Sequence, residues 1–315
     1  MRRLGAIVAI VLGILVLSYP LIGGVIVSTQ LASILRVGAP TAQGSGWPAP
    51  QRPEDIGYVG DPHTAYGYAF TDISLSSDIG EMPAWLVAPE TASTRWAIFV
   101  HGIGGRRENG YRFLPVLQRA NLPTVLFSYR NDEEAPKDPS GYYAFGLTEW
   151  HDLDAVVAYA LANGARDVIL VGESMGGGIV GQFLRHSDKA GSVSAIVLDA
   201  PALDFTEIVG SAVGAMGIPF APVLARVGVS LSGYTLPLGL GEADVRAELN
   251  SFMGPLFLSH GHADRVVPVE GSDALVQART QVTTYLRTSA DHIQSWHEAP
   301  ERYDALLSAF LAELP

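Results

Sequence analysis

The chain has 315 residues, 48% of them hydrophobic and 17% charged, a composition that forms a folded core and excludes wholesale disorder. Twenty Lys and Arg against 32 Asp and Glu give a net charge of −12, so no broad cationic surface is available for a phosphate backbone and nucleic acid is not an expected partner. With no cysteine, disulfides, thiolate metal sites and a cysteine nucleophile are excluded, and the redox compartment leaves no mark.

Arg2 and Arg3 precede an apolar run from Leu4 to Val27, long enough as a helix to cross about 30 Å of hydrocarbon. Residues 1–28 therefore read as an N-terminal transmembrane helix, a membrane partner in its own right. The leading arginines keep the N-terminus cytoplasmic and place the rest of the chain on the extracytoplasmic side. A cleaved signal peptide, releasing a secreted protein, and a buried N-terminal helix are the rival readings. Residues 29–60 are expected to be a linker, since the stretch from Gly38 to Pro62 is crowded with Pro and Gly and lacks periodicity.

Residues 61–315 alternate short apolar runs with helical patterns. Tyr66 to Leu75 and Pro83 to Ala88 suggest an antiparallel pair. Trp96 to His101, Thr124 to Tyr129, Asp167 to Val171, Ala195 to Leu198, Pro255 to Ser259 and Thr283 to Leu286 complete eight strands. Continuous apolar strands separated by helices predict an α/β domain, a mostly parallel sheet with helices on both faces. An insertion at about 203–250 separates the sixth and seventh strands. Its stretch from Ile208 to Leu231 is apolar enough to consider as a second span, but Pro219, Pro222 and Arg226 interrupt it. A small helical cap fits better, with Ile218 and Phe220 as substrate-binding residues on an apolar underside that reaches the bilayer; completion of the core is the plainer alternative.

Gly172-Glu173-Ser174-Met175-Gly176 stands directly after the strand Asp167 to Val171 and before a helical run. A serine held on a sharp strand-to-helix turn protrudes toward a base, and the helix N-terminus favours developing negative charge. Such a turn calls for an acid and then a histidine on loops after later strands. Asp264, after Pro255 to Ser259, and His292, after the last strand, meet that order; Asp199, Asp291 and His297 are the competitors. The oxyanion hole is expected from the backbone N–H groups of Met175 and, within His101-Gly102-Ile103-Gly104-Gly105, of Ile103. His260-Gly261-His262-Ala263-Asp264 resembles a binuclear zinc motif, but Arg265 occupies the position of its last ligand, and loop packing is the expected role of His260 and His262. The acidic run from Asn131 to Glu134 would lie at the ligand-binding edge of the sheet, either as a solvated loop or as a partner for a substrate amine.

In this order, HGIGG, GESMGG, HGHAD and DH resemble the α/β-hydrolase superfamily over roughly residues 65 to 315, most nearly its bacterial membrane-anchored lysophospholipase-like or serine-aminopeptidase-like members. The resemblance implies Ser174, Asp264 and His292 as a catalytic triad, with no metal and no organic cofactor. It departs from the HGGG form of many esterases at Ile103. The expected activity is hydrolysis of a carboxylic ester, apolar or lipid-like in its acyl part, through an acyl-enzyme. Amide or peptide hydrolysis on the same triad, and a non-catalytic binding protein, are the alternatives.

Overall fold

The computed structural model describes residues 2–39 and 49–315; within residues 2–17 only Ile7 and Gly13 are described beyond the backbone. Eight strands form one sheet: β1 (Thr71–Ser77), β2 (Gly80–Val87), β3 (Arg95–Val100), β4 (Thr124–Phe127), β5 (Asp167–Glu173), β6 (Val193–Asp199), β7 (Leu256–Gly261) and β8 (Thr283–Thr288). Their spatial order is β1-β2-β4-β3-β5-β6-β7-β8, antiparallel through β1, β2 and β4 and parallel from β4 to β8.

Successive residues of the central strands belong to opposite faces, as the two-residue repeat of a strand requires. Ile98, Val100, Val168, Leu170, Ile196 and Leu198 join one core cluster, while Ala97, Phe99, Ile169, Val171, Ala195 and Val197 join the other. The first is covered by α4 (Trp150–Ala162) and α5 (Met175–His186) through Leu153, Val156, Val157, Ile179 and Phe183. The second is covered by α3 (Leu114–Arg119) and the C-terminal helix (Pro300–Ala312) through Leu114, Leu117, Leu307 and Phe310. Both faces being covered explains why these strands read as unbroken apolar runs.

The first strand begins later than the sequence implies. Asp61 accepts from the Thr64 N–H at 2.7 Å, starting the short helix α2 (Pro62–Tyr66), and Gly67 in the left-handed region ends it. Tyr66, Tyr68 and Phe70 then pack as aromatic groups on the second core rather than pairing in a strand.

Helix α1 spans Arg2–Ile34, so it passes the expected boundary at residue 28. Much of the run Leu4 to Val27 lies outside the described side chains, and among the described residues no helix is long and apolar enough to cross a membrane. From Tyr19 onward α1 lies along the cap. The insertion folds as α6 (Phe205–Ala215), α7 (Ala221–Thr235) and α8 (Arg246–Ser251), the first two broken apart at residues 216–220. Tyr19 donates to the Pro219 carbonyl at 2.9 Å and Ser28 Oγ meets Thr235 Oγ1 at 2.6 Å, which sets α1 and α7 side by side and parallel. A Cβ on Gly24 would stand 2.3 Å from Val227 Cγ1, and one on Gly228 would stand 2.5 Å from Val27 Cγ1, so the two backbones approach as only glycine permits. Leu31 and Leu35 are buried with Phe205, Val209, Leu224, Ala225 and Val229 in the cap's own core. Residues 29–34 are thus helix and not linker, and Leu35 follows them into the same core. Residues 40–48 of the expected linker lie outside the described residues. Farther on, Tyr58 packs edge-to-face on Tyr111 of the domain, ring centroids 5.9 Å apart.

Candidate active site

Ser174 sits between β5 and α5 with φ 51° and ψ −117°, a left-handed conformation that costs a non-glycine residue of order 1–3 kcal/mol and is held here by its surroundings. Its N–H donates to the Asp199 carbonyl at 2.9 Å, and its carbonyl accepts from Gly177 and Ala202. A Cβ at Gly176 would lie 2.1 Å from the Val100 carbonyl oxygen, so the turn closes against β3 only with glycine there.

The three residues expected from the sequence come together. His292 Nε2 is 2.9 Å from Ser174 Oγ, and His292 Nδ1 is 2.7 Å from Asp264 Oδ2. Asp264 follows β7 and is fully buried at its side chain, where Oδ1 accepts the N–H groups of Val266 and Val267, each at 2.8 Å. Burial alone would raise the carboxyl pKa. Hydrogen bonds from His260, His292 and the Val267 N–H outweigh it and hold Asp264 well below the usual carboxylate range. An ionised Asp264 accepts the hydrogen bond of His292 Nδ1–H, fixing the proton on Nδ1 and leaving Nε2 facing the serine hydroxyl as an acceptor.

The competitors are engaged elsewhere. Asp291 forms an ion pair with Arg265, accepts the Arg265 N–H at 3.0 Å and so ties the histidine loop to the aspartate loop. His297 pairs with Asp55 at 3.3 Å. The Asp199 carboxylate is engaged with other partners than His292, accepting from Ser259 Oγ at 2.9 Å and from Arg112 at 3.2 Å.

The loop after β3 passes close to Ser174: a Cβ on Gly102 would stand 3.0 Å from Ser174 Cβ. Ile103 is the next residue on this loop, and Met175 opens α5, where an N–H has no partner inside the helix. His101 is wholly buried beneath the loop. Its Nδ1 lies 2.8 Å from the Gly102 carbonyl, its Nε2 lies 2.8 Å from Asp132 Oδ2, and Tyr129 stacks on the ring at 4.1 Å. Two acceptors facing two ring nitrogens require two protons, hence an imidazolium. Burial works against that charge, but Asp132 and Gly102 raise the His101 pKa above its ordinary value.

Three features escaped the sequence reading. His260 does more than pack a loop: its Nε2 approaches Asp264 Oδ2 at 3.1 Å while Nδ1 meets Ser272 Oγ at 2.7 Å. His262 does stay a loop residue, with Nδ1 on the Thr288 carbonyl at 3.2 Å. Second, the residue before the serine in the motif, Glu173, is buried, bonded to Arg112 and to Asn109 Nδ2 at 3.0 Å. Arg112 bridges Glu173 and Asp199, and burial pushes the Asp199 carboxyl up by more than Arg112 pulls it down. The usable signal was a charged residue inside an otherwise apolar elbow; its distant partner carries none. Third, Asp132 of the acidic run is buried on His101, while Glu133 and Glu134 remain solvated as a surface loop, paired with Arg106 at 3.1 Å and Arg107 at 2.8 Å.

The cap residues expected to contact substrate stand elsewhere. Ile218 is 38% and Phe220 72% exposed, at the turn between α6 and α7, where Phe220 meets Tyr19 edge-on at 6.3 Å. Beneath that turn the cap is filled by its own core, whose edge touches Ile103 and Phe145. Beside the loop after β3 opens a cleft of about 440 Å³ lined by polar groups, among them Arg106, Glu133, Glu134 and Lys137.

Comparison with known proteins agrees with this architecture. A family profile described as alpha/beta hydrolase fold matches residues 97–216. The uncharacterized protein YfhR of Escherichia coli K12 is 24% identical over 251 residues, covering 78% of this chain and 80% of its own. Its counterpart in Salmonella typhimurium LT2 is 26% identical over 259 residues with the same coverage of 78% and 80%. Among solved structures, the Pyrococcus furiosus esterase Pf2001 superposes with a TM-score of 0.63 at 18% identity, over 86% of this chain and 98% of that one. The esterase EaEST of Exiguobacterium antarcticum gives 0.58 at 15% identity, over 77% and 100%.

Proposed function

We propose, from the α/β-hydrolase fold of this chain, that it is a serine hydrolase cleaving a carboxylic ester through a covalent acyl-enzyme. The observation that carries the reading is the relay from Ser174 Oγ to His292 Nε2 at 2.9 Å and from His292 Nδ1 to Asp264 at 2.7 Å. In acylation, Ser174 Oγ attacks the ester carbonyl carbon while its proton passes to His292 Nε2. Negative charge gathers on the carbonyl oxygen, facing the N–H groups of Met175 and Ile103. The intermediate collapses as His292 returns the proton to the departing alkoxide. A water molecule then repeats the sequence on the acyl-serine and frees the acid. Asp264 stays ionised throughout, holding the tautomer and stabilising the imidazolium.

An apolar acyl group suits the site, because Ile103 and Phe145 join the oxyanion loop to the cap's apolar core. Structural likeness to esterases supports an ester as the substrate, and the engagement of Glu133 and Glu134 with arginines weighs against an amine-recognising peptidase. For location, the run Leu4 to Val27 behind Arg2 and Arg3 supports an N-terminal membrane anchor with the catalytic domain on the extracytoplasmic side. A fluorophosphonate probe tests the chemistry: covalent labelling of the native chain that disappears in Ser174→Ala is expected. Equal labelling of both, or of neither, would overturn the assignment.

A further inference from the structure

Apolar side chains usually leave water when a chain folds, yet a group of large ones stays exposed at one end of this molecule. Met216 (74% exposed), Phe220 (72%) and Val223 (46%) form the apex of the cap, and Leu21 (58%), Ile22 (59%), Val25 (50%) and Ile26 (57%) form the outward face of α1 beside it. The inward face of α1, with Gly24, Ser28 and Leu31, is already taken by the cap. Exposed apolar surface of this continuity marks an interaction site.

The direction of packing says what covers it. Because α1 and α7 run parallel, with Tyr19 level with Pro219 and Phe220, the segment of α1 before Tyr19 extends past the cap apex. From Arg2 to Ile22 a helix measures about 30 Å, the thickness of the hydrocarbon layer. Along that length Ile7 is exposed and nothing lies within 4 Å of a Cβ at Gly13. Moving away from the apex, polar residues enter the outward faces of both helices, Thr29 and Gln30 on α1 and Arg226 and Ser230 on α7, with Ile34 and Tyr234 the large apolar side chains still exposed beyond them. A protein-binding patch would carry a polar rim all round. Here the polarity changes across one level, as it does at a membrane surface, and no charge interrupts the sequence between Arg3 and Arg36.

We infer that the cap apex is a second lipid contact: Met216, Ile218 and Phe220 enter the interfacial layer of a phospholipid bilayer beside the point where α1 leaves it. This rests on the anchor reading above and adds to it that the cap, joined to α1 over the length of α7, is held at the membrane surface by its outer side. The underside, where the sequence places the lipid contact, is packed core.

The absence of cysteine makes a direct test clean. The full-length chain is reconstituted in phosphatidylcholine vesicles with a single introduced cysteine carrying an environment-sensitive fluorophore, at Met216→Cys, Phe220→Cys, Ile7→Cys or Tyr234→Cys. Emission is compared with and without phospholipid bearing a nitroxide on its acyl chain. Blue-shifted emission quenched by the nitroxide lipid at residues 7, 216 and 220, with Tyr234→Cys unaffected, is the expected result. Quenching at residue 7 alone would overturn the cap contact and leave the anchor standing. No quenching at residue 7 would overturn both. A blue shift at 216 or 220 that follows protein concentration and ignores the nitroxide would assign the apex to a second copy of the chain, and also overturns the proposal. Two apex positions guard against one variant misfolding.

Discussion

His260 and His292 meet on a single atom, Oδ2 of Asp264, at 3.1 Å and 2.7 Å. Because Nε2 of His260 also faces the Val267 carbonyl at 3.1 Å, it is the protonated nitrogen and donates. His260 is therefore a positioning residue for the acid. Loss of one hydrogen bond to a charged group is worth about 1.5–3 kcal/mol, roughly ten- to a hundredfold in rate if all of it falls on the transition state. His260→Ala should lower kcat by that factor with KM little changed and move the acidic limb of the kcat–pH profile. His260→Gln, which keeps an N–H, should recover part of the loss. An unmoved pH profile in His260→Ala would leave it a packing residue.

Ser174→Ala should abolish ester turnover, a loss on the order of 10³ to 10⁶ in kcat, because no acyl-enzyme can form. The fold should survive, since alanine relieves no contact that the elbow depends on. Hydrolysis of p-nitrophenyl acetate by the purified variant, read beside its thermal unfolding, checks both halves.

Asp264 and Asp199 are both buried carboxyls at the ends of neighbouring strands, yet only Asp264 touches the histidine relay. Asp264→Asn should cost about 10⁴ in kcat through the wrong histidine tautomer, by the serine-protease precedent. Asp199→Asn weakens the Arg112 bridge and should act mainly on stability. Breaking a buried ion pair outright costs about 3–5 kcal/mol, an upper limit for a substitution that keeps an acceptor. Urea unfolding and kcat on the same two proteins separate these effects, and a reversal of the pattern would place the acid after β6.

His101 gives stability a pH dependence. Its folded pKa lies above the unfolded value, so the stabilisation it contributes is complete below the unfolded pKa of about 6.5 and is lost as pH rises through the folded pKa. Asp132→Asn removes the carboxylate that raises this pKa. The difference in melting temperature between wild type and Asp132→Asn should be greatest near about pH 6 and shrink toward about pH 9. A gap constant across that range would mean a neutral His101.

The depth of α1 in the cap decides where the chain can be cut. Removing residues 1–37, the division that composition invites, would strip Ser28, Leu31 and Leu35 from a buried interface. Emptying a buried leucine site costs about 2–5 kcal/mol, so the loss of two should unfold the cap. Removing residues 1–17 leaves that interface whole. The shorter deletion should give a monodisperse protein that retains esterase activity, and the longer one an aggregating or protease-sensitive protein; equal behaviour in limited proteolysis would show that α1 does not support the cap.

How far the sequence could be read follows from how far apart the interacting groups lie. The elbow was legible because strand, Ser174 and helix are contiguous, and the chain order of Asp264 and His292 followed from it. The Glu173–Arg112–Asp199 cluster was not, since its members are 61 and 87 residues apart and each reads alone as an ordinary charge. Only the extent of helix α1 misled, for a related reason: its stretch packed on the cap after Tyr19 has the same composition as the apolar run before it. The close approach of Gly24 and Gly228 distinguishes them, and a contact between those two positions has no local signature.

The pairing of α1 with α7 also bears on how the chain is made. Tyr19 and Pro219 are separated by 200 residues and Ser28 and Thr235 by 207, so α1, synthesised before α7, waits for its partner. At about 5–20 residues per second that interval is roughly 10 to 40 s, during which the Gly23–Gly24 face and Leu31 have nothing of their own chain to pack on. Completion of the cap is then a late event in folding that joins the two ends of a long loop. Any factor that captures the nascent helix early, whether a translocation channel or a chaperone, controls when that closure can happen.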